Sequence, residues 1–209
     1  VDFLIDYAKK QTLKPVLIPC HDNYVEVIDE FCEELKPYYL FAQTEKGLAT
    51  TVMDKEKLHA LAAAHGVNVP ETVRTTEENY VEEVAKRVGY PCIVKPTDSP
   101  RFVAEFRRKI FLVNNEQELV EAITKAHNKN LEVIIQRIIP GFDDHMYTFD
   151  AYLNQDSKVV HWTTCQKHRQ YPINFGASVY TEQRHVPELY EIGAKFMEAI
   201  GYKGFGEIE

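Results

Sequence analysis

Apolar positions along this chain switch between a helical and a two-residue period, and the switches mark out its elements. Residues 2–12 carry a helical pattern opened by Asp2, and residues 15–20 form an apolar run of strand length. Residues 22–35 then place Tyr24, Val25, Ile28, Phe31, Cys32 and Leu35 on one helical face, and a second apolar run covers residues 38–42. Strands alternating with helices predict a parallel α/β layer. Asp54 opens the next helix and Gly66 ends it, with residues 69–73 leading out in extended form. Thr76 is expected to cap a helix that runs through Val88 and stops at Gly89. Residues 90–96 and 109–113 read as strands, and Asn115 caps a helix to about His127. From Leu131 onward the pattern is mostly β, over residues 132–138, 146–153, 159–164 and 178–181. A helix over 187–200 and a strand near Phe205 close the chain. The fold class predicted is α/β followed by α+β. Residues 168–176, polar and aromatic, read as a loop between two strands, a natural place for substrate contacts.

Composition narrows the function. With 209 residues, 44% of them hydrophobic, the chain can bury a core as one domain or two small ones. Its formal net charge of -8, from 24 basic and 32 acidic residues, argues against a nucleic-acid binder, which needs clustered Lys and Arg. A small anionic ligand in a local cationic pocket remains compatible with that balance. Cys20, Cys32, Cys92 and Cys165 lie far apart without Cys-x-x-Cys or Cys/His ligand spacing, so buried thiols are expected rather than disulfides or a zinc site. No apolar run approaches the roughly 18 residues of a membrane span, and no signal peptide precedes the first helix, which points to a cytoplasmic protein with no membrane partner. The chain opens at Val1 inside a helical pattern and closes on Gly204-Phe-Gly-Glu-Ile-Glu209 at the start of a strand, so it is expected to be a piece of a longer protein, cut at both ends.

Two lysines carry the candidate chemistry. Lys95 lies on an apolar strand, with Ile93 on its side and Cys92 and Val94 on the other. A lysine there needs an anionic partner, because a desolvated ammonium costs several kcal/mol; a phosphate and a structural carboxylate satisfy that need equally well. Lys55 directly follows a helix N-cap, a position that taken alone is more often a solvated surface residue. In Val133-Ile-Ile-Gln-Arg-Ile-Ile-Pro-Gly141, Pro140 ends the strand as a ladder donor. The backbone groups of Arg137, Ile138 and Ile139 are therefore expected to be open to a planar ligand, or else to form an ordinary strand end. Two spaced cations and such a strand end suit a nucleoside triphosphate.

An ordered set of segments resembles the ATP-grasp superfamily, and within it the carboxylate-amine ligase branch that includes the D-aspartate ligases. The set comprises Met53-Asp-Lys-Glu-Lys57, His65-Gly-Val-Asn-Val-Pro70, Gly89-Tyr-Pro-Cys-Ile-Val-Lys-Pro96, Ile134-Ile-Gln-Arg-Ile-Ile-Pro-Gly-Phe-Asp-Asp144, and Gln166-Lys-His-Arg-Gln-Tyr-Pro172 followed by Gly176 and Glu182. It covers residues 53–209. The resemblance implies an ATP-grasp fold behind the remnant of an N-terminal parallel α/β domain. Residues 1–50 would be that remnant, 51–135 the small lobe and 136–209 an incomplete large lobe. ATP would lie between the lobes with Lys55 and Lys95 on its phosphates, backbone from Arg137, Ile138 and Ile139 on adenine, Gln136 at the amino edge and Asp143 on the ribose. Lys167 and Arg169 would meet the transferred phosphoryl group or a substrate carboxylate, Arg suiting planar bidentate capture. Glu209 would be the first Mg²⁺ ligand.

Such enzymes activate a carboxylate as an acyl phosphate that an amine then attacks, with positioning and charge neutralisation carrying the catalysis. Small-molecule carboxylate and amine substrates are the implied partners, and a homodimer is compatible with the chain. Three departures accompany the resemblance. Residues 97–109, expected as the phosphate-covering loop, contain no glycine; Gln136 replaces an acid; and the Glu-x-Asn run that would complete the metal site is absent. Other readings are an ATP-grasp activity of the carbamoyl phosphate synthase type and a nucleotide-binding module whose catalytic loop has decayed.

Overall fold

The computed structural model describes all residues except Phe142, Pro172, Asn174 and Phe175, with the side chain of Asp143 also outside the described residues. Contacts divide the chain into two compact units, neither continuous in sequence: residues Val1–Val67, Tyr147–Gln166 and Glu182–Glu209 form one, and Asn68–Met146 with Lys167–Thr181 the other.

The second unit is built on four antiparallel strands in the order β1-β4-β2-β3, where β1 is Thr72–Arg74, β2 Cys92–Pro96, β3 Phe111–Val113 and β4 Val133–Arg137. Alternate residues of these strands, Val73, Ile135, Val133, Cys92, Val94 and Val113, form one core with three helical elements. The first is α6 (Tyr80–Glu83), continued by a π-helical turn over Val84–Val88. The second is α7 (Ser99–Phe106), and the third is α8 (Glu116–His127), which buries Leu119, Ala122, Ile123 and Ala126. Helix α8 starts where expected, because the Asn115 side chain accepts from the Glu118 N–H at 2.9 Å and the Glu118 carboxylate accepts from the Asn114 N–H at 2.8 Å.

In the first unit, α1 (Asp2–Ala8), α2 (Asp22–Glu30) and α3 (Cys32–Leu35) enclose a small core of Ala8, Leu35, Tyr39 and Phe41. Helices α4 (Leu48–Met53) and α5 (Lys55–Ala64) follow. Strands β5 (Tyr147–Leu153) and β8 (Gly204–Ile208) pair antiparallel, and α9 (Pro187–Ala199) packs Ala194 and Met197 onto Phe149, Ala151 and Leu153. Their sheet runs β7-β6-β5-β8, with β6 spanning Val159–Tyr171 and β7 Ala177–Gln183.

Several sequence expectations are corrected. Residues 15–20 and 38–42 are not full strands; they meet in a single parallel bridge, Val16 to Leu40, beside Pro15 and Pro19, which lack the N–H a ladder needs. That bridge is the parallel element of the N-terminal segment. The helix expected over 22–35 breaks at Phe31, and the one expected from Thr76 begins only at Tyr80, behind Asn79 in the left-handed region. Residues 168–171 extend β6 instead of opening a loop. Among the described residues no helix is long and apolar enough to cross a membrane.

The expected phosphate-covering loop is also different. Residues 99–106 form α7, capped by Asp98, which accepts from the Arg101 N–H at 3.1 Å, with Pro100 in the first turn. Phe102 and Phe106 lie one turn apart and form a ring cluster with Phe111, with centroid separations of 4.8–5.0 Å. Phe102 is fully buried, so an apolar anchor holds this segment as a helix.

Candidate functional site

Cross-strand partners share a face, so the register of the second unit's sheet shows which side chains stand together. One row runs Thr72, Gln136, Ile93, Leu112, and the next runs Arg74, Ile134, Lys95. This face is opposite the helix-packed one. Ile93 and Ile134 make an apolar platform on it, Gln136 stands at one end, and Lys95 stands at the other, about 7 Å further along the strands. Ile134 is only 2% exposed and Gln136 only 5%.

Lys95 is half-buried, and loss of solvent alone holds its amino pKa below the ordinary lysine value. Among the described residues no carboxylate pairs with it, so the structural-carboxylate reading finds no support. An anion bound at Nζ would restore the missing solvation. Gln136 donates through Nε2 to Thr72 Oγ1 at 3.2 Å, and Thr72 donates to the Pro70 carbonyl at 2.9 Å.

The end of β4 is anchored on both sides. The Arg137 N–H, expected to be open, donates to the Glu71 carbonyl at 2.9 Å. Its guanidinium donates to the carbonyls of Val88 at 3.2 Å and of Arg87, capping the π-helical turn. Arg87 in turn pairs with Glu71 and with Glu77, both at 2.8 Å, and donates to the Thr72 carbonyl at 3.0 Å. Its hydrogen bond to Glu71 is the largest of the influences that raise its pKa further. Backbone groups open to a ligand therefore begin at Ile138 and Ile139, which lie past the last ladder pair; Ile139 is exposed. The side chain of Asp143 lies outside the described residues.

Lys167 and Arg169 both lie on β6 within the same unit. Lys167 is buried, 2% exposed, and its N–H donates to the Met146 carbonyl at 2.8 Å, whereas Arg169 is exposed. Gln170, also buried, donates to Met146 Sδ at 3.1 Å. The other predicted site residues belong to the first unit. Lys55 is the first residue of α5, held there by Asp54, whose side chain accepts from the N–H groups of Glu56 at 3.0 Å and Lys57 at 3.1 Å. The bond from Lys57 is the main cause of the lowered Asp54 pKa. Glu209 follows β8, where Glu207 stands opposite Asp150, and Thr148 donates to Asp150 Oδ2 at 2.7 Å. Among the described residues no three His, Cys, Asp or Glu side chains converge to hold a metal ion. Glu209 by itself is short of the oxygen set that Mg²⁺ takes, so the residues present do not fit a complete magnesium site.

Sequence reading missed Thr72, Glu71 and Arg87. Thr72 reaches Gln136 across 64 positions of chain, and no local pattern signals such a pairing.

The chain resembles known ligases along most of its length. It is 26% identical over 209 residues to a D-aspartate ligase of Enterococcus faecium (strain Aus0004), covering 94% of this chain and 49% of that protein. Among solved structures, a D-alanine--D-alanine ligase from Bacillus anthracis superposes with a TM-score of 0.67 at 17% identity, over 99% of this chain and 66% of that one. Biotin carboxylase from Campylobacter jejuni superposes with a TM-score of 0.70 at 18% identity, over 97% and 46%. These likenesses make the fold ATP-grasp. The chain spans about half the length of the curated relatives it matches. The family described as D-ala D-ala ligase C-terminus matches residues 61–208, and the chain belongs to that family.

Proposed function

We propose that this chain binds ATP on the Lys95 face of the second unit and forms part of an ATP-dependent ligase that joins a carboxylate to an amine. The observation that carries the reading is Lys95 itself: a desolvated amine without a carboxylate partner among the described residues, next to an aliphatic platform that ends in an amide. Adenine would lie at the Gln136 end of this face, with its amino edge toward Gln136 and the backbone of Ile138 and Ile139. Its phosphates would extend toward Lys95.

In the reaction, the substrate carboxylate oxygen attacks the γ-phosphorus, and the bond to the β-phosphate bridging oxygen breaks to give acyl phosphate and ADP. The amine then attacks the acyl carbon, and phosphate leaves with the acyl C–O electron pair as the amine loses its proton. Lys95 and Lys167 would neutralise charge on the transferred phosphoryl group, and Arg169 would hold a carboxylate. Lys55 is a further phosphate-binding candidate. Similarity to the E. faecium protein makes D-aspartate the first substrate to test.

Calorimetry with ATP and magnesium on the parent and on Lys95→Ala tests the nucleotide site. Binding lost in the variant supports it, and equal binding in both rejects it. Substrate-dependent ADP release by the full-length enzyme tests the ligase reading. ATP binding without such release would favour a nucleotide-binding module, a reading that α7 supports by standing where a glycine-rich loop was expected.

A further inference from the structure

We propose that Thr72 is a positioning residue that sets nucleobase selectivity by fixing which end of the Gln136 amide faces the ligand. The inference rests on the reading of this face as an adenine site. Its starting point is the Pro70 carbonyl, which accepts hydrogen bonds and cannot donate. Thr72 Oγ1 lies 2.9 Å from that oxygen, so the single hydroxyl proton of Thr72 is committed to Pro70. What remains on Thr72 Oγ1 is acceptor capacity, and Gln136 fills it by donating from Nε2 at 3.2 Å.

A glutamine amide is nearly symmetric in shape and opposite in polarity at its two ends. Turning Nε2 toward Thr72 turns Oε1 away from it. Among the described residues no donor meets Oε1, which leaves an acceptor at the end of the Ile93 and Ile134 platform. The 6-amino group of adenine donates and the 6-oxo group of guanine or hypoxanthine accepts. An outward Oε1 therefore matches an aminopurine and opposes an oxopurine. A carboxylate at position 136 would accept at both oxygens and need no such orientation; an amide does.

The test measures binding of ATP and of inosine triphosphate to the full chain, together with thermal melting, for the parent, Thr72→Val, Thr72→Ser and Gln136→Glu. Valine keeps the shape of threonine and removes the hydroxyl, so the amide can turn and present Nε2 to a 6-oxo group. The ratio of ATP to inosine triphosphate affinity should fall about tenfold in Thr72→Val and return in Thr72→Ser. In the Gln136→Glu background, the same Thr72→Val change should leave the ratio unmoved, because a carboxylate has no donor end. A purely structural role would weaken both nucleotides equally. An unchanged ratio in Thr72→Val, or an equal fall in both affinities, overturns the proposal while leaving the ATP site standing. A folded parent that binds neither nucleotide overturns the site and this inference together.

Discussion

Lys95 and Ile134 stand opposite each other across the β2–β4 ladder, an amine set against an aliphatic side chain on the face that the helices do not cover. Burial lowers the Lys95 pKa from its usual 10.5, and the cost of that desolvation falls on the ligand-free protein. Lys95→Met should therefore abolish nucleotide affinity yet melt at the same temperature as the parent or higher.

The same residue gives a pH dependence of known sign. The native amine releases its proton at a lower pH than the unfolded amine does, so between those two values the unfolded chain holds more protons and stability rises with pH. Urea melts at pH 7 and pH 10 should show the parent gaining stability relative to Lys95→Met. A parent that loses stability relative to the variant would place the Lys95 shift in the wrong direction.

Arg137 joins the end of β4 to the π-helical turn through the carbonyls of Arg87 and Val88. Arg137→Ala leaves those carbonyls without their donor and should cost about 1–2 kcal/mol of stability, read as a lower denaturation midpoint. Because Ile138 and Ile139 follow immediately, ATP affinity should fall several-fold with the melting temperature, whereas in Lys95→Met affinity falls alone.

Gly193 lies on α9 where a Cβ would come within 2.4 Å of the Phe149 ring. Phe149 is buried in the core of the first unit and cannot swing clear. Gly193→Ala should destabilise the protein by about 1–3 kcal/mol, the usual cost of overpacking. A melting temperature equal to the parent's would show that α9 does not pack so closely.

Thiol labelling should separate two cysteines. Burial pushes the Cys92 thiol up to about 11, while Cys20 is exposed. Iodoacetamide at pH 8 should modify Cys20 in the native protein and reach Cys92 only after unfolding, as peptide mass analysis would show. Native labelling of Cys92 would contradict its burial on the helix-packed face of β2.

Local patterns proved sufficient where the causes were local. Asp54 and Asn115 cap α5 and α8 through their own next residues, and the alternation of Cys92, Ile93, Val94 and Lys95 assigned those side chains to two faces before any pairing was known. They were insufficient where a distant partner intervened. The segment over 97–109 was expected as a loop from the resemblance, yet Phe102 and Phe106 find Phe111 and residues 99–106 fold as a helix. Arg137 looked like an open strand end until Glu71, 66 positions earlier in the chain, took its N–H.

By itself, the sequence determined the identity of the half-buried cation, the strand that carries it, the proline that ends β4 and the resemblance to ATP-grasp proteins. Residue type and short-range periodicity are written directly in the chain. Only the tertiary structure decided that Lys95 lacks a carboxylate partner among the described residues, that Ile93 and Ile134 stand on one face, and that Gln136 meets Thr72. Each of these depends on strand register. Register follows from burying one face of every strand at once against the shared core, a condition on the whole sheet that no single segment can express.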